Sequence, residues 1–329
     1  MKKRALVHGR SNIPAQASSP IGKDFDPRGY RRGLGATNKY TRKFLNDPDA
    51  KRRMEDEGIG YSTTGLVAQI RAKNFAHTEE GVTIKLADSY GFCWGVERAV
   101  QMCYEARKQY PTKEIWITNE IIHNPTVNMR LSEMGVNFIQ ETDGVKNFNP
   151  VKSESVVILP AFGASIDEMK LLADIGVMIV DTTCPWVSRV WNSVDRHARK
   201  QFTSIIHGKF EHEETIATAS FAKTYLVVKD IKEARWVCDY ILNRGATKTE
   251  FIRKFKNAHS DGFDPVKDLD AVGVANQTTM LKGETEAIGK LFERTMMEKY
   301  GVQNLGKHYF VTNTICGATQ ERQDAIRKL

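Results

Sequence analysis

The stretch Gly176-Val177-Met178-Ile179-Val180-Asp181-Thr182-Thr183-Cys184-Pro185-Trp186-Val187 changes character twice within twelve residues. It begins as a short β-branched run with the length of a buried strand, turns polar from Asp181, and passes after Cys184 into a segment of helical period over 187–201. A strand, a polar turn and a helix in that order form half of a parallel α/β unit. Reading outward, the same alternation recurs along the chain. Strands are expected at 82–86, 114–118, 156–159, 177–180, 203–206, 224–228, 271–275 and 308–311. Helices are expected at 96–109, 126–134, 166–174, 187–201, 213–220, 232–242 and 284–300. Positions 247–270 are polar, contain Gly262 and Pro265, and read as a surface insertion. The fold class that follows is α/β with parallel sheets.

The turn that carries Cys184 has two counterparts. Ser89-Tyr90-Gly91-Phe92-Cys93 follows an expected strand and opens a helix, and so does Thr312-Asn313-Thr314-Ile315-Cys316-Gly317. Open α/β folds place their ligands where strands end, and helix N-termini favour thiolates, so the three turns mark a candidate site. The cysteines lie 91 and 132 residues apart, which leaves no local metal motif. Taken singly, each reads as a small buried residue. Their common setting points instead to three turns converging, and three thiolates at one point suit an iron-sulfur cluster with one iron left for substrate. Cys103 shares a helical face with Val96, Ala99 and Val100, and Cys238 lies in Ala234-Arg235-Trp236-Val237-Cys238, so both read as packing residues.

Other strand ends carry acid, base and anion-binding groups. His123 lies in Asn119-Glu120-Ile121-Ile122-His123-Asn124-Pro125, His212-Glu213-Glu214-Thr215 follows His207-Gly208, and Asn276-Gln277-Thr278-Thr279 ends a later strand. Histidine and threonine beside helix N-termini suit a phosphate, and a carboxylate beside His212 suits proton delivery. A lone histidine also serves as a satisfied structural residue, and Glu213 or Glu214 also favours a helix start.

Composition bounds these readings. The 329 residues are 41% hydrophobic and 27% charged, enough for two or three domains of a soluble globular protein. No run approaches the roughly 20 apolar residues of a membrane span. Five cysteines without a preceding signal-peptide core argue against a secreted disulfide framework. The net charge of +8 is unevenly placed: positions 1–80 hold 16 Lys and Arg against 9 Asp and Glu, and the remainder is close to neutral. Positions 1–80 therefore read as a basic extension with one or two helices. Its first 23 residues contain no acid, which fits a transit-peptide remnant or a plain basic tail. RNA binding through Arg28, Arg31, Arg32, Arg52 and Arg53 beside Tyr30 and Tyr40 is a further reading, which the near-neutral body disfavours.

Gly91-Phe92-Cys93-Trp94-Gly95-Val96-Glu97-Arg98-Ala99, Glu120-Ile121-Ile122-His123-Asn124, Asp181-Thr182-Thr183-Cys184-Pro185 and Asn276-Gln277-Thr278-Thr279 together resemble the 4-hydroxy-3-methylbut-2-enyl diphosphate reductases, the IspH/LytB family. The resemblance runs from about residue 20 to the end of the chain. Trp94, Pro160-Ala161-Phe162-Gly163 and the segment from Phe25 to Phe44 resemble the plant and cyanobacterial branch.

The resemblance implies three α/β lobes in pseudo-threefold arrangement around a 4Fe-4S cluster held by Cys93, Cys184 and Cys316. It implies that His123 and His212 line the diphosphate pocket, that Glu214 relays protons and that Thr278 contacts substrate. The implied reaction removes the allylic hydroxyl with two electrons and two protons, giving isopentenyl and dimethylallyl diphosphates at the end of the methylerythritol phosphate route. The expected electron donor is ferredoxin and the expected location the plastid stroma, with cyanobacterial cytoplasm as the alternative.

The expected organisation is an extension at 1–80, a first strand and cluster turn at 81–93, lobes at 94–184 and 185–312, and the start of a truncated third lobe at 313–329. In that case 82–86 and 308–311 lack neighbouring strands, cluster retention is weak and activity is poor. Phe162 stands where many bacterial members carry a histidine, so one phosphate contact must come from elsewhere. The reading from another class is a non-catalytic metal-binding or interaction protein.

Overall fold

The computed structural model describes residues 25–59, 65–142, 144–312 and 314–329; the transit-peptide reading of the first 23 positions lies outside them. Two parallel sheets organise the chain. The first has the order Tyr40–Thr41, Met178–Asp181, Val156–Leu159, Ile115–Ile117, Val136–Phe138. The second has the order Tyr225–Val228, Thr203–His207, Val272–Asn276, Tyr309–Val311. Their central strands read Val-Val-Ile-Leu and Thr-Ser-Ile-Ile-His and are buried along their whole length, the pattern of sheets covered on both faces.

Local chemistry sets the element ends. Ser165 and Glu168 close a capping box at the start of the helix Ile166–Ile175, and Gly176 ends that helix in the left-handed region at φ 82°, which returns the chain to Met178–Asp181. The helix Pro185–Arg199 then crosses to the second sheet. Its His197 lies so close to Gly273 on the strand Val272–Asn276 that a Cβ there would come within 2.4 Å of the ring.

Four expectations are corrected. The strand Tyr309–Val311 does not lack a neighbour but pairs in parallel with Val272–Asn276. The strand Val82–Lys85 forms, but in an exposed antiparallel hairpin with Ala76–Glu79 rather than in a parallel sheet. The β-branched residues that predict a strand carry no information on its partner. Positions 247–270 are not a surface insertion. They form the helices Lys248–Lys254 and Pro265–Asp268, bury Phe251, Phe255, Phe263 and Leu269, and pair with the outer strand of the second sheet, where Val227 N–H donates to Ala258 O at 2.7 Å. A polar average hid the aromatic spacing of Phe251 and Phe255, which places both on one helical face.

Nor are the residues from 25 to 59 a loose extension. Tyr40–Thr41 adds an edge strand to the first sheet, and the helix Pro48–Asp56 packs on the helix Trp94–Gln109 with Met54 and Ala50 buried. Arg31, Tyr40 and Arg42 all reach Asp181, at the end of the strand before Cys184. Arg31 Nη2 donates to Asp181 Oδ2 at 2.7 Å, Arg42 Nε lies 3.3 Å from the same oxygen, and the Tyr40 hydroxyl donates to it as well. That arrangement occupies two cations the RNA reading relied on, Arg31 and the neighbouring Arg28, which pairs with Asp195.

Candidate active site

Each of the three cysteines sits at or just before a helix start. Cys93 is the N-cap of Trp94–Gln109, Cys184 is the N-cap of Pro185–Arg199, and Cys316 lies one residue before the N-cap of Ala318–Arg327. None forms a disulfide. A Cβ on Gly95 would come 2.5 Å from Cys184 Sγ and 4.0 Å from Cys93 Sγ, so a side chain at this position would collide with the sulfur.

Cys316 is brought in by two ties. Thr314 Oγ1 donates to Asn276 Oδ1 at 2.9 Å at the end of the second sheet, and Arg322 donates to the carbonyls of Gly91 and Phe92 at 2.8 and 3.0 Å. Cys184 feels the charges of both Cys93 and Cys316, which places the three sulfurs in one locality. Cys103 and Cys238 are buried away from this group, and burial pushes both thiols up, that of Cys238 to about 12.

At Cys184 the helix N-terminus favours the thiolate as expected, but burial outweighs it. Burial pushes its thiol up to about 11; the backbone N–H groups of Trp186 and Val187 oppose this, and Cys93 and Cys316 add to it. Three soft donors that repel one another when ionised require a cation to hold them deprotonated.

A single ion does not fit the arrangement. Among the described residues, the set of three metal-capable side chains whose ligand atoms lie mutually within 4.8 Å is His123, His212 and Glu213, not the cysteines. Sulfurs that share a locality but not an ion-sized centre suit a polynuclear cluster, and three thiols at helix starts match its usual donor chemistry.

The histidine group combines a donor on His212 with two carboxylates around His123. Glu214 N–H donates to His212 Nδ1 at 3.1 Å, so the proton of neutral His212 sits on Nε2 and that nitrogen is a donor. His123 faces Glu120 Oε2 through Nδ1 at 2.9 Å and Glu213 Oε2 through Nε2 at 3.5 Å. Phe162 stacks on His123 with centroids 4.6 Å apart and meets His212 edge-on at 5.9 Å, so it fixes both rings. Burial lowers the pKa of His212, with Glu213 opposing and His123 and Lys209 reinforcing the shift.

Glu214 is 1% exposed. Its carboxylate accepts from Thr278 N–H and, at 2.9 Å, from Thr278 Oγ1. Burial without a cation pushes its carboxyl up to about 7, against the opposing pull of these hydrogen bonds. Cys316 feels the charge of Glu214, so the acid lies within electrostatic reach of the cysteine group.

Thus Cys93, Cys184, Cys316, His123, His212, Glu214 and Thr278, scattered over 224 positions from Cys93 to Cys316, form one connected neighbourhood, with Cys93 brought in from outside the two parallel sheets. Two participants escaped the sequence reading. Asn119 hydrogen-bonds Glu213 across the two sheets, and Gln277 Oε1 accepts from Lys209 N–H at 3.0 Å and Thr215 Oγ1 at 3.2 Å. Both lie inside motifs already singled out, and only the pairing was unreadable.

The family model for the LytB protein matches residues 84–329. The chain is 58% identical over 321 residues to the chloroplastic 4-hydroxy-3-methylbut-2-enyl diphosphate reductase of Botryococcus braunii, covering 97% of this chain and 63% of that protein. It is 59% identical over 305 residues to the reductase of the same name from Crocosphaera subtropica, covering 92% of this chain and 75% of that one. The chain therefore spans about two thirds of the length of the algal relative. The structure of the E-1-hydroxy-2-methyl-but-2-enyl-4-diphosphate reductase from Plasmodium falciparum shares the fold, with a TM-score of 0.53 and 22% identity over 74% of this chain and 63% of that one. With the family match running through all three cysteine turns and identities near 60% to its curated relatives, the chain belongs to the LytB family of 4-hydroxy-3-methylbut-2-enyl diphosphate reductases.

Proposed function

We propose that this chain carries the reductive dehydroxylation of (E)-4-hydroxy-3-methylbut-2-enyl diphosphate to isopentenyl and dimethylallyl diphosphates, with release of water. The observation that supports this most is a buried, cation-free carboxyl, Glu214, placed within electrostatic reach of the three-cysteine group. A merely structural metal site has no need of such an acid.

Cys93, Cys184 and Cys316 would hold a 4Fe-4S cluster. When bound, that cluster supplies single electrons and one iron free of protein ligands. The chain's own residues do the rest. His212 offers Nε2–H to the diphosphate, and His123, held by Phe162 and Glu120, lines the same anion pocket. Thr278 holds the carboxyl of Glu214 by two hydrogen bonds, which fixes the oxygen from which a proton leaves.

A carboxyl near pH 7 in its titration is matched to protonating a departing hydroxyl at neutral pH, since hydroxide is a poor leaving group and water a good one. The balance is two electrons and two protons in, one water out. Phe162 cannot donate to a phosphate as a histidine would; it packs against His123 and His212 instead. Ferredoxin is the electron donor in this reading, and the plastid stroma the location.

The test is anaerobic reconstitution with iron and sulfide, followed by EPR of the dithionite-reduced protein with and without substrate. A 4Fe-4S signal that changes on adding substrate is the expected result. A cluster blind to substrate favours the non-catalytic metal-binding reading, and no cluster overturns the three-cysteine site.

A further inference from the structure

The electron that reaches the cysteine group must enter through a surface, and one surface beside it has a distinct chemistry. Two tryptophans lie next to the cysteines and point outward: Trp94, adjoining Cys93, is 60% exposed, and Trp186, two residues after Cys184, is 38% exposed. Large aromatic groups are costly to leave in water, and two of them beside a redox centre mark a contact surface. Arg189 lies over the Trp186 ring at 5.0 Å from its centroid.

From Trp186 the exposed face of the helix Pro185–Arg199 continues through Arg189 and Arg196 to Lys200, positions seven and four residues apart that fall on one stripe. The helix Pro27–Gly35 packs alongside and adds Arg32. Residues 25–45 and 185–200 together hold ten Lys and Arg but only two acids, Asp26 and Asp195. Both acids are already engaged: Asp195 pairs with Arg28 and Arg199, and Asp26 with Arg199. Arg32, Arg189, Arg196 and Lys200 have no carboxylate partner among the described residues. Glu97, three residues after Trp94 and half-buried, is the one acid on the same helix turn.

We propose that this face, with Trp94 and Trp186 at the end beside the cysteines and Arg189, Arg196 and Lys200 running away from them along the helix next to Arg32, is the docking surface for an acidic one-electron carrier protein. The inference rests on the reductase reading above. The reduced carrier gives up one electron and is oxidised, and the cluster held by the three cysteines is reduced by one electron, so two encounters serve one turnover. A stripe of cations leading to exposed aromatic rings steers an acidic partner, and the aromatic end sets its residence. A single-stranded nucleic acid also favours cations and aromatic rings, but the indole groups here sit at the cysteine helix starts, where electron entry profits from them and nucleic-acid binding does not.

The test uses the reconstituted holoenzyme and a plant-type [2Fe-2S] ferredoxin as the acidic probe, with a basic cytochrome c as a binding control. Affinity is measured over a salt series, and turnover is driven either by the reduced ferredoxin or by dithionite. R189E/R196E is expected to weaken ferredoxin affinity about ten-fold or more at low salt and to flatten its salt dependence. The same variant is expected to lower ferredoxin-driven turnover and to leave dithionite-driven turnover unchanged. W186A is expected to shorten the residence time with the salt dependence kept.

Charge-neutral R189Q/R196Q, with urea midpoints for all variants, guards against a folding defect, since these positions are exposed. Ferredoxin binding and ferredoxin-driven rates equal to wild type in R189E/R196E would overturn the docking surface, as would binding of single-stranded RNA in place of ferredoxin. Loss of dithionite-driven turnover in the unaltered holoenzyme would count instead against the reductase reading.

Discussion

Asp181 and Glu214 are both sealed from solvent, at 0% and 1% exposure, and both sit where a strand of one of the two sheets gives way to a turn and a helix. Their chemistry is opposite. Burial pushes the carboxyl of Asp181 up, but Arg31 and Arg42, with hydrogen bonds from Thr183 N–H and the Tyr40 hydroxyl, outweigh it and hold the group well below the usual carboxylate range. Among the described residues Glu214 has only Thr278 as a hydrogen-bond partner of its carboxylate, and burial wins. Burial alone therefore fixes neither protonation state; the presence of a cation does.

The difference fits the proposed function. A carboxylate locked by two guanidinium groups ties residues 25–45 to the Cys184 turn and cannot release or take up protons near neutrality. A carboxyl without a cation can do both.

Breaking the Asp181 group is expected to have the largest effect. Asp181→Asn leaves Arg31 and Arg42 facing a neutral amide in a buried setting, for a loss of about 3–5 kcal/mol in urea unfolding. If the loss is below about 1 kcal/mol, the locked carboxylate does not hold the N-terminal segment to the sheet.

Removing the other carboxyl should behave differently. Glu214→Gln keeps the shape and is expected to retain the fold while dithionite-driven turnover falls about 10²–10⁴-fold. Turnover near that of the wild type would remove Glu214 from proton delivery.

The pH dependence of stability sharpens the contrast, because the two groups contribute with opposite sign. Glu214 holds its proton to about pH 7 in the folded state against 4.5 as its ordinary value, so the folded state binds more protons in that window. Stability from this group is complete below 4.5 and is lost as pH rises towards 7, by a total on the order of 3 kcal/mol. Asp181 is held below its ordinary value of 3.8, so its contribution is present above that pH and is lost as pH falls further. Urea midpoints from pH 3 to 8 should show the neutral-side slope vanish in Glu214→Gln and the acid-side slope shrink in Asp181→Asn.

Two smaller changes probe the partners. Tyr40→Phe removes one donor to Asp181 and is expected to cost about 1–2 kcal/mol, read by urea unfolding. Thr278→Val removes the hydroxyl that favours ionised Glu214, so the group's titration should move to higher pH, read as an alkaline shift in the pH–rate profile.

The strand-to-helix turns made the seven candidate site residues legible, because a cysteine, histidine, threonine or acid at such a turn is a local feature. The partners of Asp181 were not legible. Arg31, Tyr40 and Arg42 come from 139 to 150 positions earlier, within a segment whose weak hydrophobic pattern reads as a loose extension. The segment's own apolar content is low, and its order comes from an edge-strand register and ion pairs made only once the first sheet exists. For the same reason 247–270 read as surface: its average is polar, while the buried face is carried by Phe251, Phe255 and Phe263.

The sequence by itself determined the alternation of strands and helices, the three cysteine turns, the acid and histidines beside them, and the family. Hydrophobic period and residue type are local properties, and they survive without coordinates. Only the tertiary structure decided which buried carboxylate has cations beside it, which strand joins which sheet, and where Arg189 of the Pro185–Arg199 helix meets the exposed Trp186. Each of those depends on groups far apart in the chain, and electrostatic energy depends on the distance between them and the solvent excluded there.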